Sequence, residues 1–446
     1  MDPSTLSLFA ATPQQIEASS RRTGASAWGN GMTLDQYVQR DLDLQKSECG
    51  RDGKLMIWVL APRNDPETLD FLCSCETFLR TGLTARKNPN SPSDSEPLIE
   101  QVECYGVASV FTPPFNRGKG YARLMMSLLH WILAGNNMSP NIRFPSDIWG
   151  PQPVSPSGMG NAIFSALSSD VGLFYESCNP DTADRTKKNG WIIRGTRTAR
   201  WNPKVDVPVT PAITSTSGNW RWLTHEEINQ LCTQDAERMR ADLRARWFDV
   251  SSVSSSKTKI LFTFLPSGGV EAFQRERLQY FWEKENIVHC GVALSVPRSD
   301  LTNDSTNDLG TVQAFVAWTL ELRPPAPRTL LVTRLHAPSP DYISEIVRRI
   351  WEYSIQHDIQ VVEIWNFPSE LREVGYRSAE RWFVPFGGEE GEFEFERALH
   401  LPAFKWYGYG PQRMTDTADA VANDSTSEKV DESEIEWMFN EKFCWC

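Results

Sequence analysis

Residues 102–134, VECYGVASVFTPPFNRGKGYARLMMSLLHWILA, limit the possible folds more than any other stretch of this chain. An apolar run ends at Pro113–Pro114, where a strand loses its ladder donors. Gly118 and Gly120 follow, and they let the backbone bend tightly and meet a ligand with no Cβ between. An amphipathic helix then opens near Tyr121, and its first amides have no partner inside the helix. Those amides sit at the positive end of the helix dipole, and Lys119 and Arg123 add full charges nearby. A strand, a glycine loop and a helix in this order specify an α/β unit whose loop suits a phosphate or diphosphate.

The class of phosphate ligand narrows by elimination. A P-loop needs a Ser or Thr after its lysine to hold magnesium, and here Gly120 follows Lys119. The dinucleotide-binding GxGxxG pattern fails as well. The loop instead resembles the acyl-CoA signature [RQ]xxGx[GA] of the GNAT acetyltransferase superfamily, met by Arg117, Gly120 and Ala122. That resemblance implies acetyl-CoA as cosubstrate. Val110, Phe111 and Thr112 would pair with its pantetheine arm, and Arg117, Gly118, Lys119, Gly120, Tyr121 and Ala122 would take its diphosphate.

At 446 residues the chain is long enough for two domains. The Pro/Ser/Thr-rich stretch 202–219 reads as the linker between them. A formal net charge of -12 argues against a nucleic-acid partner. The nine scattered cysteines and six separated histidines show no zinc-ligand spacing, so no metal is expected. The N-terminus has no basic-then-apolar leader, and no run of 18 apolar residues occurs. The expected setting is therefore soluble, reducing and cytoplasmic, with no membrane partner. The oligomeric state is left open.

Local patterns place the other elements. TLDQYVQRDLDLQ starts on a Thr cap and reads as a helix. LMIWVLAP, DFLCSCETFL, VQAFVAWTLEL, RTLLVTRLHA and IQVVEIWN read as strands, and DYISEIVRRIWEYSIQHD as a helix. ALSSDVGLFYESC (166–178) reads as a helix with Phe174–Tyr175 at its far end. GWIIRGTRTARW (190–201) reads as one strand. Residues 414–434 are acidic, whereas the final IEWMFNEKFCWC is too aromatic to stay in water and should dock on the body.

Taken together, SLFAATPQQIEASSRRTGASAWGNGMTLDQYVQRD, GVASVFTPPFNRGKGYA, SALSSDVGLFY and FNEKFCWC resemble the fungal lysine N6-acetyltransferase family. The resemblance implies an α/β (α+β) architecture. An N-terminal GNAT domain, 1–210, would have a central mixed β-sheet flanked by helices. A second GNAT-like domain, 219–413, would close over the substrate, followed by the tail 414–446. It also implies acetyl transfer to free L-lysine in lysine catabolism. Another small amine, a protein lysine, or acyl-CoA binding without turnover are the alternatives.

Such a transfer needs particular groups. A lysine ammonium, with a pKa of about 10.4, must lose a proton before it attacks, and the leaving thiolate gains from a proton donor. The resemblance makes Tyr175 the donor and Glu103 the base, on the strand before the loop; Glu76 is the second candidate. Ser168 is expected on the cofactor side, and Asp170 could bind the substrate cation. The second half has no glycine loop after a strand, so it is expected to act as a substrate wall through Glu363, Trp406 and Tyr407.

Overall fold

The computed structural model describes residues 2–88, 96–139, 141–208, 219–251, 260–296, 309–386, 391–408 and 432–446. Most of the acidic stretch 414–434 and most of the linker expected at 202–219 lie outside the described residues. No described helix is long and apolar enough to cross a membrane.

The first five strands are β1 (Leu6–Ala10), β2 (Leu55–Pro62), β3 (Cys73–Lys87), β4 (Pro97–Phe111) and β5 (Phe164–Ser169). Next come β6 (Ile192–Ile193), β7 (Arg197–Pro203), β8 (Asn219–Thr224), β9 (Ile260–Phe264) and β10 (His289–Val296). Then follow β11 (Thr311–Glu321), β12 (Thr329–His336), β13 (Val361–Trp365), β14 (Phe383–Pro385) and β15 (Glu394–Glu396). The last two are β16 (Leu401–Trp406) and β17 (Ile435–Trp437). Among the described residues they form two sheets. The first runs β1-β2-β3-β4-β5-β16-β6, with β9 also on β3 and β17 on β9; the second runs β14-β7-β13-β12-β11-β10-β8, with β15 also on β7.

Both sheets follow one plan. Antiparallel strands lead to a parallel pair with a crossover, β4 with β5 in the first sheet and β12 with β13 in the second; the first sheet has a further parallel pair, β9 with β17. A helix connects each crossover pair, as a parallel crossover requires. In the first sheet this is α3, the 14-residue helix Tyr121–Ala134, placed after α1 (Pro13–Thr23) and α2 (Leu34–Lys46). In the second it is the helix Pro340–Gln356. The Thr cap expected for α2 is Thr33, which forms a capping box with Gln36.

Two local expectations are corrected. Residues 166–178 are not a helix: β5 runs to Ser169, and a 3-10 turn covers Gly172–Ser177. Ser169 Oγ donates to the Gly172 carbonyl at 2.7 Å and accepts from the Val171 amide, which ends the strand. Residues 190–201 are not one strand either. The chain turns at Gly195, φ +71°, where a Cβ would stand 2.8 Å from Asn440 Nδ2. β6 pairs with β16 in the first sheet and β7 with β13 in the second.

The strands do not divide between the sheets at residue 210. β7 precedes it and belongs to the second sheet; β9 and β16 follow it and belong to the first. The aromatic tail docks as expected. β17 lies parallel to β9, Phe443 is fully buried, and Arg80 donates to the Cys444 carbonyl at 2.7 Å. In the second sheet the β12–β13 pairing stops at Val332–Ile364. There the Glu441 carboxylate accepts the Leu335 amide at 2.8 Å, and the Asn440 carbonyl accepts from Asn366. The tail is thus pinned where those two strands part.

Candidate active site

The site begins with an irregularity in β4. Ser74 faces Phe111 and Glu76 faces Ala108, so Cys75 alone opposes two residues, Ser109 and Val110. Ser109 takes φ +51°, and the extra residue makes a bulge that bends the strand. The parallel pairing of β4 with β5 reaches Val107–Leu167 and goes no further, although β5 continues to Ser169. The two strands therefore splay. A cavity of about 820 Å³ opens there, lined on this side by Val107 to Val110, Leu167, Ser168 and Tyr175.

Glu76, directly across from the bulge, lines this cavity and accepts a 2.8 Å hydrogen bond from Ser109 Oγ. Burial, and next the Asp41 charge, push its carboxyl up to about 7, against the opposing pull of Ser109 and Arg40. A carboxylate poised there can exchange a proton with an amine near neutral pH. Tyr175 also lines the cavity, edge-on to Phe174 and Trp191, and burial pushes its phenol up, so it holds its proton. α2 adds Tyr37, Arg40, Asp41 and Leu44 from one helical face. Arg40 holds Asp41 at 2.5 Å and stacks 4.0 Å over Tyr37.

The glycine loop follows Val110, the last cavity-lining residue of β4, by a few residues and is exposed. Gly118 and Gly120 have φ of +76° and +87°, and a Cβ on either would meet nothing within 4 Å. Gly120 is the N-cap of α3 and supplies no side-chain cap, so the first-turn amides are left for an external acceptor. Arg117 Nε donates to the Thr112 carbonyl at 3.0 Å, and Lys119 reaches Asn116 Oδ1 at 3.4 Å. Tyr121 is buried and Ala122 partly so. Phe111 is buried against Trp28. Arg123, expected to add its charge near the loop, donates to the Ser177 carbonyl and lies over Phe174.

Several expected residues thus meet in one place: Glu76, Val110, Ser168, Asp170, Tyr175 and Glu363 all line the cavity. Two of these carboxylates are already engaged. Asp170 accepts the His400 amide at 2.8 Å and lies 2.9 Å from the ring Nδ1. Burial works against it, but these contacts hold it below the usual range. Glu363 takes two hydrogen bonds from Arg200 and one from Trp365.

Three expected residues are elsewhere. Glu103 is exposed and holds Asn161, four residues before the cavity-lining part of β4. That is roughly 13 Å of strand away. Trp406 and Tyr407 are core, not wall, because β16 is inserted between β5 and β6. Trp406 stacks on Phe164, and the Tyr407 hydroxyl bonds His130 and Ser165. The wall facing the splay comes instead from Arg277, Glu321, Arg323 and the tail residues Lys442 and Trp445. Nothing local in the sequence marked these.

Residues 204–446, more than half of the chain, match the model of the LYC1 GNAT-like C-terminal domain. The chain belongs to this LYC1 GNAT-like family. A lysine acetyltransferase of Yarrowia lipolytica (strain CLIB 122 / E 150) is 26% identical over 169 residues, 37% of this chain and 35% of the relative. The chain thus spans about a third of the length of that curated relative. Among solved structures, a probable N-acyltransferase of unknown function from Enterococcus faecalis V583 covers 90% of the chain at 8% identity and a TM-score of 0.47, with 72% of its own length matched. A GCN5-related N-acetyltransferase from Kribbella flavida covers 90% at 13% identity and a TM-score of 0.43, with 71% matched.

Proposed function

We propose that this chain is an acetyl-CoA-dependent N-acetyltransferase that acetylates the side-chain amine of free L-lysine, serving lysine catabolism in the cytoplasm. The observation that carries this reading is Glu76, with a carboxyl pushed up to about 7, facing a cavity opened by the splay of β4 from β5. Family membership and the name of the yeast relative, a lysine acetyltransferase, support it.

The roles follow from the chemistry. The amides from Arg117 to Ala122 hold the diphosphate, and Val110 to Thr112 with Ser168 guide the thioester arm into the splay. Glu76 accepts a proton from the substrate ammonium, freeing the lone pair. Nitrogen bonds the acetyl carbon as the carbon–sulfur bond breaks; Tyr175 gives its proton to the thiolate, and the second proton, leaving the new amide nitrogen, restores the phenol. Asp170 and Glu363 face the incoming cation while held by His400 and Arg200.

The test mixes purified protein, acetyl-CoA and L-lysine, then follows free thiol and N6-acetyl-lysine by mass spectrometry. Thiol release no faster than with acetyl-CoA alone would refute the reading. The loop is tested apart from the chemistry. Gly120→Val places a branched side chain at φ +87° beside amides meant for the diphosphate, at a strain of about 1–2 kcal/mol. It should raise the acetyl-CoA KM at least about tenfold while the circular dichroism spectrum stays the same. An unchanged KM removes the loop from the site.

A further inference from the structure

The charges around the cavity do not all cancel one another. Arg40 is paired with Asp41 and Arg200 with Glu363, and Asp170 accepts the His400 amide. Glu321 is shared by two guanidiniums: Arg323 binds it closely, and Arg277 stands 3.7 Å away. Arg277 Nε is buried and, among the described residues, has no hydrogen-bond partner. Lys442 is 4% exposed, and among the described residues no carboxylate lies within ion-pair distance of its Nζ.

One ring brings these two cations together. Lys442 Nζ lies 3.6 Å from the centroid of the Trp445 ring and 4.3 Å from that of Trp365, and the Arg277 guanidinium lies 4.2 Å over the same Trp445. Aromatic faces hold cations but cannot neutralise them. Two buried cations that share too little negative charge make a site for an anion, and planar guanidinium suits a carboxylate.

We infer that Lys442 and Arg277, set against Trp445, form a subsite for the carboxylate of the acceptor, so that the substrate is a free amino acid rather than a peptide lysine or a simple diamine. This rests on the acetyl-transfer reading above. The titration behaviour agrees with it. Burial, then the neighbouring Arg277 charge, push the Lys442 ammonium down, while burial, then Arg323, push Arg277 down to about 9. An anion placed beside them would reverse both shifts. The arrangement also divides the cavity by chemistry: among the described residues no cation is bound to Glu76, which is left for the amine, and the two cations are left for the acid group.

The experiment compares L-lysine, L-lysinamide and 1,5-diaminopentane as acceptors, reading kcat/KM from thiol release. The unaltered chain should prefer L-lysine to each of the other two by about 100-fold. In Lys442→Met that preference should fall by at least about tenfold, and Lys442→Arg should restore most of it. The comparison on the unaltered chain holds whether or not the variants fold. Equal use of L-lysine and 1,5-diaminopentane overturns the carboxylate subsite and leaves acetyl transfer standing. Absence of thiol release with every amine overturns the acetyl-transfer reading from which the subsite starts.

Discussion

Glu76→Gln is expected to lower kcat by about 10²–10⁴-fold on L-lysine, the range for loss of a general base. Gln keeps the shape and can still accept the Ser109 hydrogen bond, so the loss reports proton transfer rather than packing. In the parent, kcat/KM should rise about tenfold per pH unit below about 7 and level off above, because Glu76 must be ionised to act. Stability should move the opposite way. A carboxyl with a raised folded-state pKa favours the folded state at low pH, and that contribution is lost as pH rises towards 7. Glu76→Gln removes this dependence, so its melting advantage over the parent should widen between pH 5 and pH 8. A variant with parental kcat at pH 8 would take Glu76 out of the chemistry.

Phe443→Ala should cost about 3–5 kcal/mol in urea-induced unfolding, the usual loss for a fully buried aromatic side chain. Phe443 belongs to the core beneath β9 and β17, between two residues that line the cavity, Lys442 and Trp445. The same change should therefore raise the KM for the acceptor. Its neighbour Glu441 ties the tail to the second sheet through Arg334 and the Leu335 amide. A loss under about 1 kcal/mol would mean that the tail adds nothing to the fold.

What could be read from sequence was local. Pro113, Gly120 and Tyr121 mark the end of β4, the loop and the start of α3, because prolines, glycines and open helix ends act within a few residues. Glu76, Ser168, Asp170 and Tyr175 line the cavity because each lies on a strand next to that unit or just beyond the end of one. Glu103 was misjudged because alternation along β4 says which face a residue takes and nothing of how far along the strand the splay begins. The bulge at Ser109–Val110 then breaks the alternation itself. Trp406 and Tyr407 look the same in sequence whether they form a wall or a core. Only the insertion of β16 beside β5, more than two hundred residues away in the chain, decides it. Arg277, Lys442 and Trp445 come from separate segments and share no motif.

The placement of β16 bears on how the chain is made. A ribosome adds roughly 5–20 residues per second, so β5 emerges roughly ten seconds or more before the strand that covers its free edge. Over that interval the nascent first half exposes unpaired backbone along the sheet that holds Glu76, the kind of edge to which other chains stick. Its assembly must therefore finish after synthesis has passed residue 406, and shielding by a chaperone until then would favour a high yield of folded protein.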